Sequence, residues 1–205
     1  MKQNMFVMVL SIFVVFIIGV FVGSAWKGAG SSSVDRMIKQ SELDAESFLI
    51  EQELFESFDI DCGLAETRLA DLSDGLWQLG KLLAVEDAEK NLGEENYNFL
   101  KRKFHLMQIR TYLLYKEFLN KCDTDENVVL YYFGNNQDSV FQGNILDSLV
   151  QEFGLKVFAV ESGYSDDLLF LEQYYDITQT PSLIINYDRK LEGLSSREDV
   201  LPYVV

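Results

Sequence analysis

Several residue types are scarce in this chain of 205 residues, which has one histidine, two cysteines and two prolines. Protein metal sites are built mainly from clustered His, Cys and carboxylate side chains, and no spacing typical of such a cluster occurs. A glycine-rich loop of the kind that cradles phosphates is missing too. The composition therefore indicates no metal centre, and we expect no cofactor.

Positive charge is also scarce, since 17 Lys and Arg residues stand against 33 Asp and Glu residues and the net charge is −16. The imbalance grows along the chain: residues 1–27 carry +2, residues 28–122 carry −7 and residues 123–205 carry −11. Nucleic-acid binding depends on neutralising phosphates, which so acidic a body repels. We therefore expect no nucleic-acid partner.

An uncharged apolar run, residues 6–22, lies near the start of the chain. About 20 apolar residues span the ~30 Å hydrocarbon core of a membrane as a helix. Trp26 and Lys27 follow, as is typical of the membrane interface. We interpret residues 1–27 as a single-pass signal anchor, with residues 5–26 against membrane lipid. The alternative is a cleaved signal peptide with Gly23-Ser24-Ala25 as its cleavage site.

The middle of the chain predicts a helical stalk over residues 34–122, after a short Gly- and Ser-rich linker at residues 28–33. Apolar residues recur there at helical spacing. The pattern predicts three helices, over about 34–57, 63–88 and 94–121. The last two have similar lengths and are joined by a short turn, so we expect them to form an antiparallel hairpin.

The only two cysteines stand at the open end of this hairpin, Cys62 at its start and Cys122 at its finish. Helices of matched length return the chain to its starting end, which predicts a disulfide between them. The alternative is two separate buried thiols. A disulfide indicates an oxidising compartment, so we expect the body outside the cytoplasm. The positive charges beside the apolar run favour the cytoplasm instead, by a margin of one or two.

The C-terminal part alternates between strand and helix patterns. Asn127 to Phe133 is an apolar strand, and Thr180-Pro181 leads into a second one, Ser182 to Tyr187. Further elements are predicted, namely a helix over 138–153, a strand over 156–160, a short helix over 166–174, a strand over 190–193 and a final helix capped by Ser195 or Ser196 with Glu198. In the first of these helices the side chains expected to face inward are Phe141, Ile145, Leu149 and Val150.

This order of elements, with Thr-Pro before the third strand, resembles that of the thioredoxin-like superfamily. The resemblance covers residues 123–205 and implies an α/β domain with a mixed sheet flanked by helices and a cis bond at Thr180-Pro181. Members of the family carry a redox Cys-x-x-Cys where the first helix begins. The corresponding positions here are Asn136 and Ser139, which form no disulfide.

These features favour a redox-inactive binding or scaffold module that is anchored in the membrane, and we assign no catalytic residue. The resemblance implies a groove beside the cis-proline that takes a protein or peptide partner. Its expected lining residues are Tyr132, Gly134, Asn135, Phe141, Thr180 and Pro181.

Two enzymatic alternatives stay open. One is a thiol–disulfide oxidoreductase in which Cys62 and Cys122 exchange thiols with a partner. The other is a thiol transferase in which Ser139 activates a bound thiol, although a serine at a helix start is most often an N-cap. The single histidine, His105, has no Cys or Ser partner at a motif spacing, so we expect it at the surface or in a helix seam.

Overall fold

The computed structural model describes residues 61–122, 124 and 126–204, together with the isolated positions 47, 50 and 53. Those three positions are helical, in agreement with the helix predicted over 34–57. The expected membrane segment and linker lie outside the described residues. None of the helices in the described part of the chain is long and apolar enough to cross a membrane.

A helical hairpin comes first in the described chain. Helix α1 spans Cys62–Leu83, the short α2 spans Ala88–Leu92 and α3 spans Glu94–Lys121. Asp61 caps α1, because its carboxylate accepts a hydrogen bond of 3.1 Å from the Leu64 N–H. The prediction for α3 is confirmed. The sequence predicts that α1 continues to residue 88, but it ends at Leu83, and the left-handed φ of 61° at Asp87 separates it from α2.

The two long helices run antiparallel and are closed by a disulfide. A Cβ added at Gly80 would lie 3.3 Å from Phe104, and one added at Gly75 would lie 3.8 Å from Met107, so the numbering of α3 falls as that of α1 rises. At the open end Cys62 and Cys122 are bonded, with their Cα atoms 5.8 Å apart. The predicted disulfide is confirmed. Closing a loop of this length stabilises the fold by about 4 kcal/mol in the chain-entropy model.

A four-stranded mixed sheet follows, in the strand order β2-β1-β3-β4. Strand β1 pairs with β2 in parallel, whereas β3 is antiparallel to both β1 and β4. The elements are β1 Val128–Phe133, α4 Gln137–Phe153, β2 Lys156–Glu161, a 3-10 turn Asp166–Leu168, α5 Leu169–Tyr174, β3 Ser182–Ile185, β4 Arg189–Glu192, α6 Arg197–Val200 and a 3-10 turn Leu201–Tyr203. Helices flanking such a sheet fit a thioredoxin-like α/β domain.

Two local predictions are wrong in detail. Strand β3 ends at Ile185, earlier than expected, because Asn186 and Tyr187 take left-handed φ angles of 49° and 71° that turn the chain into β4. The last helix is capped by Ser196, but the residue that completes the capping box is Asp199 and not Glu198. Asp199 stands at the third helical position, from which a carboxylate can reach back to the N–H of the capping residue.

One face of the sheet is covered by α4, and the predicted inward face of that helix needs correction. Leu149 is buried as expected, but Phe141 and Val150 are exposed. Ser139 and Gln142 point inward instead. Both are polar, yet each has a backbone partner: Ser139 Oγ accepts from the Gly134 N–H at 3.0 Å, and Gln142 Oε1 accepts from the Ser195 N–H at 2.8 Å. Hydrogen bonds of this kind allow polar side chains to be buried.

Helix α3 covers part of the other face. Its Tyr112 and Tyr115 rings pack on Phe158 of β2, with ring centroids 6.1 and 5.7 Å apart. Tyr112 is fully buried, and its hydroxyl lies 2.8 Å from that of Tyr175. The domain boundary expected at residue 123 stays a prediction. Contacts cross that position, because α3, which lies before it, packs against Phe158, which lies after it.

His105 lies in the seam between α3 and the end of the sheet. The imidazole is buried among the rings of Phe104, Phe133 and Tyr164, and neither ring nitrogen has a hydrogen-bond partner. Burial lowers the pKa of His105 to about 4, although the nearby Glu161 carboxylate opposes this shift. The histidine is therefore neutral in the folded protein at neutral pH.

Replacing His105 with Phe is expected to flatten the pH dependence of stability. Below pH about 6.5 the unfolded chain binds a proton at His105, whereas the folded chain does not until pH about 4. Because the unfolded chain binds this proton and the folded chain does not, the unfolding free energy of the wild type falls by about 2 kcal/mol as the pH is lowered from 7.5 to 5. Chemical denaturation of both proteins at the two pH values measures the difference. Equal losses in wild type and variant would contradict a buried neutral histidine, since the carboxylates are common to both.

Candidate functional site

The site begins at the turn that joins β1 to α4. Asn136 is the N-cap of α4, and its Oδ1 accepts a hydrogen bond of 2.8 Å from the Ser139 N–H. The Ser139 hydroxyl in turn accepts from the Gly134 N–H, and the Tyr131 hydroxyl donates to the Ser139 carbonyl. Ser139 is buried, so its role in the structure is to hold this turn.

The same asparagine ties the turn to the proline loop. Asn136 Nδ2 donates to Thr180 Oγ1 at 3.0 Å and to the Thr180 carbonyl at 3.3 Å. The Thr180-Pro181 peptide bond is cis. Gly134 meets Thr180 so closely that an added Cβ would clash with the threonine hydroxyl. Asn136 and Ser139, the two positions expected to correspond to redox cysteines, are therefore engaged in hydrogen bonds that join α4, β1 and the proline loop.

The expected groove residues divide between the surface and the interior. Asn135 and Phe141 are exposed, Gly134 and Thr180 are half-buried, and Pro181 is buried beneath them. Tyr132 was expected in the groove but is fully buried, because alternate residues of a strand face opposite sides of the sheet and this one faces away from α4. Burial, with the nearby Glu172, raises the pKa of the Tyr132 hydroxyl.

Two further apolar residues near the proline loop are exposed, although no pattern in the sequence indicates this. Val140 precedes Phe141 on α4, and Leu194 follows Gly193, whose N–H donates to the Pro181 carbonyl at 2.8 Å. The Gln142–Ser195 hydrogen bond holds these two chain segments together. Val140 and Phe141 lie just before Gln142, and Leu194 lies just before Ser195, so we group these three exposed apolar residues under the name proline-loop rim. The sequence does not indicate this grouping, because it depends on hydrogen bonds between segments that are far apart in the chain.

The disulfide is not part of this site. Cys122 precedes β1, whereas Gly134 follows it, and the six residues of β1 separate the two ends by roughly 17 Å at the rise of a strand. Cys62 is exposed and Cys122 is buried. Among the described residues, no group of three or more His, Cys, Asp and Glu side chains is arranged to hold a metal ion.

Comparisons with known proteins add little to this picture. No family model matches the chain, and no curated protein matches it. Two matching solved structures are both malarial. One, described as a malarial protein, is 19% identical with a TM-score of 0.34, and the match covers 38% of this chain and 93% of that one. The other is thioredoxin-2, a component of malaria parasite protein secretion machinery; it is 20% identical with a TM-score of 0.30, and the match covers 38% and 79%. Likenesses this distant carry no argument about function.

Replacing Asn136 with Ala is expected to lower the unfolding free energy by about 2 kcal/mol, since the change removes both a helix cap and the link to Thr180. Asn136→Asp keeps the cap acceptor and loses the donation to the Thr180 carbonyl, so it should lie between Ala and wild type. Asn135→Ala, at the exposed neighbouring position, is the matched control. Urea denaturation measures all three variants, and a stability of Asn136→Ala equal to that of the control would argue against the bridging role.

Proposed function

We propose that this protein is a redox-inactive, thioredoxin-like binding module that is anchored in the membrane and takes a peptide segment of a partner protein beside Pro181. The observation that carries this proposal is the set of hydrogen bonds made by Asn136 and Ser139. Their polar groups hold the β1–α4 turn and the proline loop in place. A side chain whose polar groups are already hydrogen-bonded within the protein is suited to shaping a binding surface and not to attacking a substrate.

The proline-loop rim supports the binding role. Val140, Phe141 and Leu194 are large apolar side chains that are exposed on the two segments joined by the Gln142–Ser195 hydrogen bond. Contiguous exposed apolar surface often marks an interaction site. We infer that the partner segment is extended and places apolar side chains on this rim, because a shallow, rigid surface of this kind binds without a large cost of ordering itself.

Anchoring in the membrane is the second part of the proposal. It rests on the apolar run at residues 6–22, which is long enough to span a bilayer. The Cys62–Cys122 disulfide supports a body outside the cytoplasm, because structural disulfides persist in oxidising compartments. The proposed arrangement is therefore an extracytoplasmic body tethered through residues 28–60.

An exposed Cys62 favours one rival, a thiol–disulfide oxidoreductase that works through the Cys62–Cys122 pair. A thiolate from a partner could attack the exposed sulfur of Cys62, with Cys122 as the leaving thiolate. The serine-dependent thiol transferase has less support, because Ser139 is buried and its hydroxyl accepts from the Gly134 N–H.

We expect the full chain to be inert in insulin reduction with dithiothreitol as electron donor, because the helix start beside Pro181 carries no thiol. A variant with Cys62→Ser and Cys122→Ser should behave identically. Adding Asn136→Cys and Ser139→Cys to that variant should confer measurable turnover, since a helix N-terminus lowers the pKa of a thiol placed there. Turnover by the wild type that disappears in the double serine variant would establish the oxidoreductase instead.

Binding beside Pro181 is tested by selecting peptides from a displayed random library against the full chain in non-ionic detergent. Enriched peptides should be rich in apolar residues and should bind the Phe141→Ser, Leu194→Ser variant about tenfold more weakly. Phe153→Ser, an exposed aromatic change farther along α4, is the matched control. Selected peptides that bind the rim variant as well as wild type would refute this site.

The proposed orientation is tested with Ser32→Cys in the background that lacks both native cysteines. A membrane-impermeant maleimide should label this residue in intact cells, because the body lies outside the cytoplasm in the proposed arrangement. Labelling that appears only after lysis would place the body in the cytoplasm, as the positive charges beside the apolar run favour.

A further inference from the structure

Helix α4, which carries Val140 and Phe141, bears acidic side chains and no basic one. The only charged residues between positions 134 and 155 are Asp138, Asp147 and Glu152. A helix start carries a partial positive charge of about half a unit, and the full negative charge of Asp138 in the first turn of α4 exceeds it. A partner that binds at the proline-loop rim therefore meets negative charge on this helix.

The basic residues of the α/β part are all engaged within the protein. Each of the four in residues 123–205 contacts a carboxylate or an aromatic ring. The contacts are Lys156 with Glu126, Lys190 with Asp176 and Glu192, Arg197 with Glu152, and Arg189 with the Tyr203 ring. Asp138 is exposed and pairs with none of these four, so its carboxylate can pair with a basic group of a partner.

Asp138 and Phe141 are neighbours on the surface of α4, because residues three apart on a helix have Cβ atoms about 5–6 Å apart. Both side chains are exposed, and 49% of Phe141 is accessible to solvent. The face of an aromatic ring attracts a cation, and a carboxylate pairs with one. A single basic side chain can therefore contact the ring and the carboxylate together.

The far end of α4 shows the same combination with a basic side chain in place. The Arg197 guanidinium lies 2.7 Å from the Glu152 carboxylate, and its centre lies 5.5 Å from the centroid of the Phe153 ring. Phe153 is partly exposed, as Phe141 is. One arginine thus contacts an acid and a ring at the end of the helix, whereas the acid and the ring at its start have no such occupant within residues 123–205.

Lys101 on α3 repeats the arrangement elsewhere in the protein. Its Nζ lies 2.6 Å from the Glu161 carboxylate and 4.6 Å from the centroid of the Tyr164 ring. In both places a basic side chain combines an ion pair with contact to an aromatic face, and the chain itself supplies the base. At Asp138 and Phe141 the α/β part supplies only the acid and the ring, which indicates a base that comes from the partner.

We propose that the segment bound at the proline-loop rim carries an arginine or lysine whose side chain lies against Phe141 and pairs with Asp138. This inference rests on the binding proposed beside Pro181 and names the chemistry of the partner, which is an extended segment with a basic residue among apolar ones. Arginine suits the position better than lysine, because its planar guanidinium stacks on an aromatic face and pairs with a carboxylate through two hydrogen bonds.

The charge that selects this segment is local. At physiological ionic strength charges are screened over about 8 Å, so distant carboxylates add little to the attraction. Asp188, which is exposed in the turn between β3 and β4, provides the comparison. Strand β3 spans Ser182–Ile185, with Pro181 before it and Asp188 after it, and separates the two by about 10 Å. A charge change at Asp188 therefore alters the net charge as much as one at Asp138 does, but leaves the rim as it is.

The experiment repeats the selection of displayed random peptides on the full chain in non-ionic detergent, with wild type, Asp138→Lys and Asp188→Lys as targets. Peptides selected on wild type and on Asp188→Lys should be enriched in Arg and Lys beside apolar residues, whereas those selected on Asp138→Lys should keep the apolar residues alone. Fluorescence anisotropy with the most enriched wild-type peptide should show binding about tenfold weaker to Asp138→Lys, about threefold weaker to Asp138→Asn and unchanged to Asp188→Lys. Circular dichroism verifies that every variant is folded.

A change in the peptide completes the test. Replacing its basic residue with glutamine should weaken binding to wild type about tenfold and remove the difference between wild type and Asp138→Asn, as expected for two groups that interact directly.

The outcomes separate this inference from the proposed function. Peptides that depend on Phe141 and Leu194 but are not enriched in Arg and Lys would overturn the inference and leave the proposed binding site in place. Equal enrichment on Asp138→Lys would assign the effect to the net charge of the chain and would overturn the inference as well. Peptides that bind the Phe141→Ser, Leu194→Ser variant as tightly as wild type would overturn both proposals.

Discussion

The burial of helix α3 on two sides is the constraint on which the rest of the structure depends. One side packs against α1, where the Cys62–Cys122 disulfide closes the hairpin, and another packs against Phe158 of the sheet. Tyr112 has the central position, since it is fully buried, its hydroxyl pairs with Tyr175, and its carbonyl accepts a hydrogen bond of 3.0 Å from the Tyr187 hydroxyl. The disulfide therefore restrains the helix that covers the sheet, and its stabilisation reaches the α/β part of the chain.

On the face of the sheet that α4 covers, a small set of contacts fixes the turn between β1 and α4. A cap at Asn136, the Gly134–Ser139 hydrogen bond and the contact with Thr180 hold the β1–α4 turn against a cis-proline loop. The Asn136 side chain is exposed, yet it restrains the turn because it bonds both to Ser139 of α4 and to Thr180 of the proline loop. The binding role that we propose for this part of the protein rests on these contacts and on the exposed apolar residues of the proline-loop rim.

The sequence by itself determined the order of the strands and helices, the pairing of Cys62 with Cys122 and the place of Thr180-Pro181, because these depend on local periodicity, matched helix lengths and the chemistry of proline. Tertiary structure alone decided which side of α4 is buried, since Gln142 and Ser139 turn inward only because Ser195 and Gly134 provide partners. It also decided that His105 and Tyr132 are buried, and that Asn136 meets a threonine 44 residues away. Such contacts join residues far apart in the chain, and no local pattern of apolar and polar residues encodes which distant group a polar side chain will meet.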